Sequence, residues 1–136
     1  MDKARKLKPT YAAFRKALRA NADAKKAKDL QWFFKTGKGE YGEGDRFLGV
    51  TVPMQRKILK NFLDLSLTDL SKLLKSAYHE ERLSALLIAV GKFKKGSLKT
   101  KKEIALWYLQ HTKYIDNWDL VDSSAGYIIG EYAATY

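Results

Sequence analysis

Apolar residues return every three or four positions along almost the whole chain, and no segment alternates apolar and polar residues with a period of two. A spacing of three to four matches the turn of an α-helix, whereas a period of two is typical of a half-buried β-strand. The clearest apolar stripes are Tyr11, Phe14 and Leu18, then Leu67, Leu70 and Leu74, then Leu83, Leu86, Leu87 and Val90. The pattern predicts an all-α fold.

The same periodicity predicts helices over residues 10–21, 24–36, 53–63, 66–76, 79–93, 101–111 and 117–132. A glycine-rich stretch at 37–45 interrupts the pattern, and Pro53 suits a first helical turn, which tolerates a missing N–H. Glu80 and Glu81 fall in the first turn of their helix, where the helix dipole favours anions. Short helices joined by tight turns fit either stacked HEAT-like pairs or an irregular bundle, and periodicity alone does not separate the two.

Charge is distributed in blocks along the chain. The formal net charge is +11, with +9 in residues 1–39, +6 in residues 92–102 and −4 in residues 103–136. Basic blocks are often solvated helix faces, but they are also typical of a surface that binds nucleic-acid phosphates. A basic helix lying on a membrane is less consistent with the sequence, because no bulky apolar face accompanies the lysines.

Other protein classes are excluded by residues that the chain lacks. There is no cysteine, and two histidines thirty-two positions apart, His79 and His111, do not supply a zinc site. The longest apolar runs, such as residues 86–90, are far shorter than the roughly 20 residues of a membrane span. We therefore expect a cytoplasmic protein with one domain, residues 1–136, and no bound metal.

Three aspartates lie within the stretch "YIDNWDLVDSS" at residues 114–124, although the chain is basic. If a helix begins near Asp116 or Asn117, either side chain is a suitable N-cap. Asp119 then lies in the first turn, where its charge suits the positive helix end. Asp122 lies one turn further on and needs another explanation.

The same helix has two distinct faces. Trp118, Asp122 and Gly126 are spaced four residues apart and share one face, so an aromatic ring, a carboxylate and a position without a side chain form a column. The core face is predicted to be Val121, Ala125, Ile128 and Tyr132. Alternatively, Trp118 is a core residue and Asp122 pairs with a lysine.

Three segments resemble a known family: "GEGDRFLGVTVPMQRKILK", "YHEERLSALLIAV" and "YIDNWDLVDSSAG". Together they are similar to the DNA alkylation repair enzymes, the AlkD-like glycosylases built from HEAT-like helical repeats, and the likeness runs in order over residues 33–132. The resemblance implies a superhelix of stacked antiparallel helix pairs. It also implies excision of cationic N3- or N7-alkylpurines from duplex DNA, with Trp118 and Asp122 as the active-site pair.

One carboxylate is chemically sufficient for that reaction. A neutral leaving group needs a general acid, but an alkylated purine is already cationic and departs neutral. Asp122 then stabilises the oxocarbenium that develops on the deoxyribose and positions the attacking water. Trp118 offers an electron-rich face to the cationic sugar or base. No cofactor is required.

The resemblance also implies DNA contacts by Phe33, Lys35, Thr51 and Arg56, and the lysine-rich block adds Lys94 and Lys95 as candidate phosphate contacts. Each has an ordinary alternative: Phe33 as a core residue, Thr51 as a helix-start residue, Lys35 and Arg56 as solvated charges, and the lysines of 92–102 as part of a solvated loop.

Family members continue for several more helices, so we expect residues 1–136 to form an N-terminal fragment, or a truncated form, of a longer solenoid. The uncovered face of its last helix would then favour self-association. Two other functions stay open from the sequence: a non-catalytic HEAT-like DNA-binding module and a protein-interaction scaffold.

Overall fold

The computed structural model describes residues 9–34, 44–115 and 118–135, without the side chains of Trp118, Asp119, Asp122 and Thr135. Its elements are α1 (Tyr11–Arg19), α2 (Ala24–Phe33), α3 (Val52–Leu59), α4 (Leu67–Leu74), α5 (His79–Lys95), α6 (Leu98–Gln110), a 3₁₀ turn (Thr112–Tyr114), α7 (Trp118–Ala125), a π-helical segment (Gly126–Gly130) and α8 (Glu131–Thr135). Over these ranges no β-strand occurs, and one isolated bridge joins Arg46 to Tyr78. The predicted all-α class is confirmed.

Side-chain caps define where five helices begin. The side-chain oxygen of each cap residue accepts the backbone N–H three positions further on, at distances between 3.0 and 3.4 Å. Each bond satisfies an N–H that has no partner within the helix. The cap residues are Thr10, Asp23, Thr51, Ser66 and Ser97.

Several predicted helix bounds are wrong. The second helix ends at Phe33, the third ends at Leu59 because the chain turns at Lys60, and α6 begins at Leu98 because Ser97 caps it. The helix predicted over 117–132 is not continuous, since the π segment Gly126–Gly130 separates α7 from α8. A glycine stands at each end of that segment, and glycine is a poor α-helix former.

Helix α5 is the centre of the domain. It packs against α3, α4, α6 and α7, and twelve of its 17 residues are buried. The predicted stripe of Leu83, Leu86, Leu87 and Val90 is buried, but small residues such as Ser84, Ala85 and Ala89 are buried as well. A helix enclosed on all sides needs this mixture of sizes, because neighbours approach it from several directions.

Helices α3 and α5 run in the same direction. Val50, just before α3, bonds Glu80 in the first turn of α5, whereas Lys92 near the end of α5 donates to the carbonyl oxygen of Leu63, just after α3, at 3.1 Å. Between these ends, Ser84 in α5 donates to Gln55 in α3 at 3.1 Å. Helix α7 packs against α5 as well, and Tyr127, just beyond the end of α7, meets Lys94 in the last turn of α5.

The segment that leads into α3 is held by a buried carboxylate. Glu80 accepts the backbone N–H groups of Leu48 and Gly49, both at 2.8 Å, and of Val50 at 3.1 Å. Gly49 has a φ of +85° and touches the start of α2, where a Cβ would lie 2.0 Å from the carbonyl oxygen of Asp23. Glycine is required here on both grounds. The held segment Leu48–Val50 in turn fixes the position of Thr51, which follows it directly.

Candidate functional site

The backbone of α7 carries the predicted column. Trp118 and Asp122 are four residues apart in one continuous α-helix, so they occupy the same face of it. Gly126 follows after another turn, is exposed, and an added Cβ there would meet no atom within 4 Å. Asp116 and Asn117, the predicted N-cap residues, lie outside the described residues.

The opposite side of α7 is anchored in the core through a line of three residues, of which the apolar pattern predicted only Ile128. Leu120, Ser124 and Ile128 are fully buried, whereas three members of the predicted stripe, Val121, Ala125 and Tyr132, are only partly buried. Two residues correspond to about 200° around an α-helix, so positions 118 and 122 lie nearly opposite Leu120 and Ser124. The column is therefore on the side of α7 that faces away from its buried line.

A polar pair explains why a serine occupies the core face. Ser124 Oγ donates to the carbonyl oxygen of Leu120 at 2.6 Å and lies 2.8 Å from Tyr108 Oη in α6. Because the serine proton is used on Leu120, Tyr108 is the donor to Ser124. Burial raises the pKa of Tyr108 despite this hydrogen bond, so its hydroxyl keeps the proton that it donates. This buried hydrogen bond between Tyr108 and Ser124 holds α7 against α6.

One predicted phosphate contact lies beside this helix. The ammonium group of Lys94 sits 5.0 Å from the ring centroid of Tyr127, the residue after Gly126. Lys95 is exposed at the end of α5. Both belong to the last turn of α5, so the interpretation that they lie in a loop is wrong.

The other predicted DNA contacts are spread over α2 and α3. Phe33 is 70% exposed and packs edge-on against Phe34, so its interpretation as a core residue is wrong. Thr51 caps α3, which confirms the helix-start interpretation, and it is also exposed. Arg56 is exposed five positions later, about 140° around the helix from Thr51, so the two residues do not share a face. Lys35 lies outside the described residues.

Thr51 also borders two depressions beside α2. The larger is a mostly apolar cleft of about 560 Å³ whose wall includes Leu30, Phe34, Phe47, Val52, Pro53 and Leu83. The smaller, of about 260 Å³, is lined by Asn21, Ala22, Asp23, Lys26, Gly49, Thr51 and Met54. Gly49, Thr51 and Lys26 line both, so the start of α3 separates an apolar space from a polar one.

The two glutamates at the start of α5 have roles that the sequence did not reveal. Glu81 is fully buried and accepts hydrogen bonds from Ser76, Arg15 and Arg19, with the arginine Nε atoms at 3.1 and 3.2 Å. Burial alone would raise the pKa of Glu81, but these hydrogen bonds and the charge of Arg15 outweigh it and hold the pKa below its usual value. Glu81 therefore ties α1 to α5 as a charged group.

A third buried carboxylate completes this polar cluster. Asp45 Oδ2 lies 2.9 Å from His79 Nδ1, and Arg82 Nη2 donates to Asp45 Oδ1 at 3.0 Å. The ring of His79 also stacks on Phe47, with centroids 4.8 Å apart. The segment from His79 to Arg82 thus holds residues 45–50 in place ahead of α3. In the sequence, the four polar residues His79–Arg82 directly before the apolar stretch 83–90 were the available signal for a buried polar cluster.

Comparison of the sequence with protein-family models identifies the family. The model described as "DNA alkylation repair enzyme" matches residues 14–136, which is most of the chain. The chain belongs to the DNA alkylation repair enzyme family. No curated protein and no solved structure gives a match.

The DNA alkylation repair match includes the three motifs and every position proposed from them, from Phe33 to Asp122. Among the side chains that the structure describes, no group of three or more His, Asp or Glu is placed to hold a metal ion. In the same ranges, no helix is long and apolar enough to cross a membrane.

Proposed function

We propose that this DNA alkylation repair protein is a glycosylase that releases cationic N3- or N7-alkylpurines from duplex DNA. The observation that carries the proposal is the position of Trp118 and Asp122, which share the face of α7 opposite Leu120 and Ser124. Exposed Gly126 leaves open space beside that face. A substrate as large as a duplex needs such an opening.

The chemistry requires one fixed anion. The alkylated base carries positive charge and leaves as a neutral molecule, so no general acid has to protonate it. As the glycosidic bond breaks, positive charge develops on the deoxyribose, and the carboxylate of Asp122 stabilises it and orients the water that attacks. Trp118 adds a cation–π attraction of about 0.5–2 kcal/mol to the same charge.

The helical layer offers a route for the DNA backbone. In this proposal, Thr51 at the start of α3, Arg56 on another side of α3, Lys94 and Lys95 on α5, and exposed Phe33 contact different parts of the DNA around the lesion. The shared direction of α3 and α5 supports a HEAT-like superhelix, because stacked helix pairs align every second helix in one layer. The contacts of α5 with its first and second neighbours on both sides are consistent with that arrangement.

Two substitutions on α7 test the catalytic assignment. Asp122→Asn keeps the shape of the side chain but removes its charge, and we expect it to lower single-turnover release of an N7- or N3-alkylpurine by about 10²–10³-fold. Duplex affinity should stay the same or rise slightly. Asp119→Asn is the matched control on the same helix, and its cost should be limited to helix-end electrostatics of about 0.3–1 kcal/mol.

The results distinguish the proposal from its alternatives. Base release that survives Asp122→Asn and is lost in Asp119→Asn would show that the catalytic residue is misassigned. Duplex binding by the wild-type protein without any base release would instead indicate a non-catalytic DNA-binding module. Absence of DNA binding would favour a protein-interaction scaffold.

A further inference from the structure

Helix α2 presents a tryptophan that is not buried by the described part of the chain. Trp32 is 83% exposed, more than any other large apolar side chain of residues 9–34, 44–115 and 118–135 whose side chain the structure describes. It stands two positions after Leu30, about 200° around the helix, and therefore on the far side from the half-buried face of α2. Packing among the described residues therefore does not account for an indole at that position.

The surroundings of Trp32 are basic. Lys25 and Lys28, seven and four positions earlier, lie on the same side of α2 and are exposed. Asp29 also stands close to this side, but it borders the apolar cleft together with Lys26. With three lysines and one aspartate, α2 carries a formal charge of +2. The apolar surface is thus bordered by cations, which is complementary to a polyanion.

We propose that the outer face of α2 binds an unpaired nucleotide of a DNA strand, with the Trp32 ring stacked on the base and Lys25 and Lys28 on the neighbouring phosphates. The inference rests on the proposed function, in which DNA is the substrate, and adds a second DNA-binding site to the protein. From Lys25 to Trp32 the helix rises about 10.5 Å, the length of about three stacked nucleotides. Stacking on an aromatic ring tolerates any base, because every base has a π face.

A lipid surface and a protein partner fit this face less well. A helix that lies on a membrane needs a broad apolar face, but in α2 Ala27 and Leu30 are turned towards the domain. A protein interface has few lysines at its centre, whereas Lys25 and Lys28 stand directly beside the exposed indole. A nucleic acid uses both the ring and the cations.

The test measures binding of a single-stranded oligonucleotide by fluorescence anisotropy for four variants. We expect Trp32→Ala and Trp32→Leu to weaken binding by about 5- to 150-fold, the range for loss of one stacked base. Trp32→Phe should keep most of the affinity, since a phenyl ring still stacks. Leu109→Ala, at a side chain that is 55% exposed on α6, is the control and should bind like the wild type.

Two further measurements report on the ring and on the cations. Trp118 of the proposed active site would also report on DNA, so the measurement uses a Trp118→Phe background. In that background DNA should quench the emission strongly, and much less when Trp32 is also replaced by Phe, because the remaining Trp107 is only 5% exposed. Replacing both Lys25 and Lys28 by Gln should reduce the slope of log affinity against log salt by about 1.4, at 0.7 per phosphate of a single strand.

Several outcomes would overturn the inference: Trp32→Ala binding as tightly as wild type, Trp32→Leu keeping full affinity, or Trp32→Ala losing only binding to anionic vesicles. Its failure is separable from that of the proposed function. Normal base release with normal oligonucleotide binding by Trp32→Ala removes the α2 site alone. Selective loss of oligonucleotide binding in a protein that releases no base removes the glycosylase proposal alone.

Discussion

Two glycines with nearly the same positive φ allow a sharp test of how the start of α3 is held. Gly44 and Gly49 have φ values of +82° and +85°. A Cβ at Gly44 would meet nothing within 4 Å, whereas at Gly49 it would lie 2.0 Å from Asp23 O, 2.8 Å from Ala27 N and 2.9 Å from Asp23 C. Substitution by alanine therefore places a side chain at a positive φ at both positions and adds a steric cost at Gly49 only.

The expected magnitudes follow from these contacts. The left-handed conformation costs alanine about 1–2 kcal/mol, so Gly44→Ala should lower the free energy of unfolding by roughly that amount. The gain from a stiffer unfolded chain, about 0.4–1 kcal/mol, applies to both variants and cancels in their difference. At Gly49 the added atom meets backbone that cannot rotate away. The segment must therefore move and lose the Asp23–Leu48 backbone hydrogen bond, now 2.9 Å long.

We expect Gly49→Ala to cost about 4 kcal/mol or more, at the upper end for single substitutions. Urea unfolding followed by far-UV circular dichroism gives the free energy of unfolding of both variants. The two values can be compared directly if the m-value is unchanged. Equal losses for Gly44→Ala and Gly49→Ala would refute the close approach between the segment and the start of α2. A destabilised but folded Gly49→Ala should also show reduced DNA affinity, because Thr51 moves with the segment.

Three other predictions concern charged groups. Glu80→Gln should destabilise the fold by about 3–5 kcal/mol, since an amide cannot accept all three N–H groups. The control Glu103→Gln, at an exposed side chain, should change the free energy of unfolding by less than about 0.5 kcal/mol. Equal effects of the two substitutions would contradict the proposed role of Glu80. Because the pKa of Glu81 is lowered on folding, its contribution is complete above the usual glutamate pKa of about 4.3 and is lost as pH falls through the folded value. Acid titration of unfolding free energy should therefore be shallower for Glu81→Gln, and an identical slope would contradict this. Duplex affinity should fall with salt at about −0.9 per neutralised phosphate, whereas a flat titration would refute phosphate binding by the basic blocks.

Local rules predicted the helices well because the groups involved are close in sequence. Thr10, Thr51 and Ser66 stand three residues before the N–H that each one caps, so their roles are visible in the sequence itself. The same holds for the column of Trp118 and Asp122, which depends only on a continuous helix between them. Interactions between residues within about one helical turn of each other can therefore be predicted from the sequence.

Features that depend on distant partners were missed. Glu80 and Glu81 do lie in a first helical turn, as predicted, but the partners of Glu80 are about 30 residues away and the two arginines that bind Glu81 are more than 60 residues away. Nothing in the local pattern identifies these distant partners. On α7, an apolar pattern passes over Ser124, whose place in the core depends on Tyr108 in another helix. The π segment was missed as well, because a period of 3 to 4 assumes an unbroken α-helix.

That π segment has a consequence for how the chain tolerates changes in length. Each of its turns holds one residue more than an α-helical turn, so Gly126–Gly130 stores a single surplus residue between α7 and α8. Loss of one residue there can be absorbed by conversion to ordinary α-helix. Trp118, Asp122 and the anchors Leu120 and Ser124 precede the segment, whereas the buried Ile128 lies inside it. A one-residue deletion after Ile128 would therefore leave the three buried anchors and the proposed catalytic carboxylate in register.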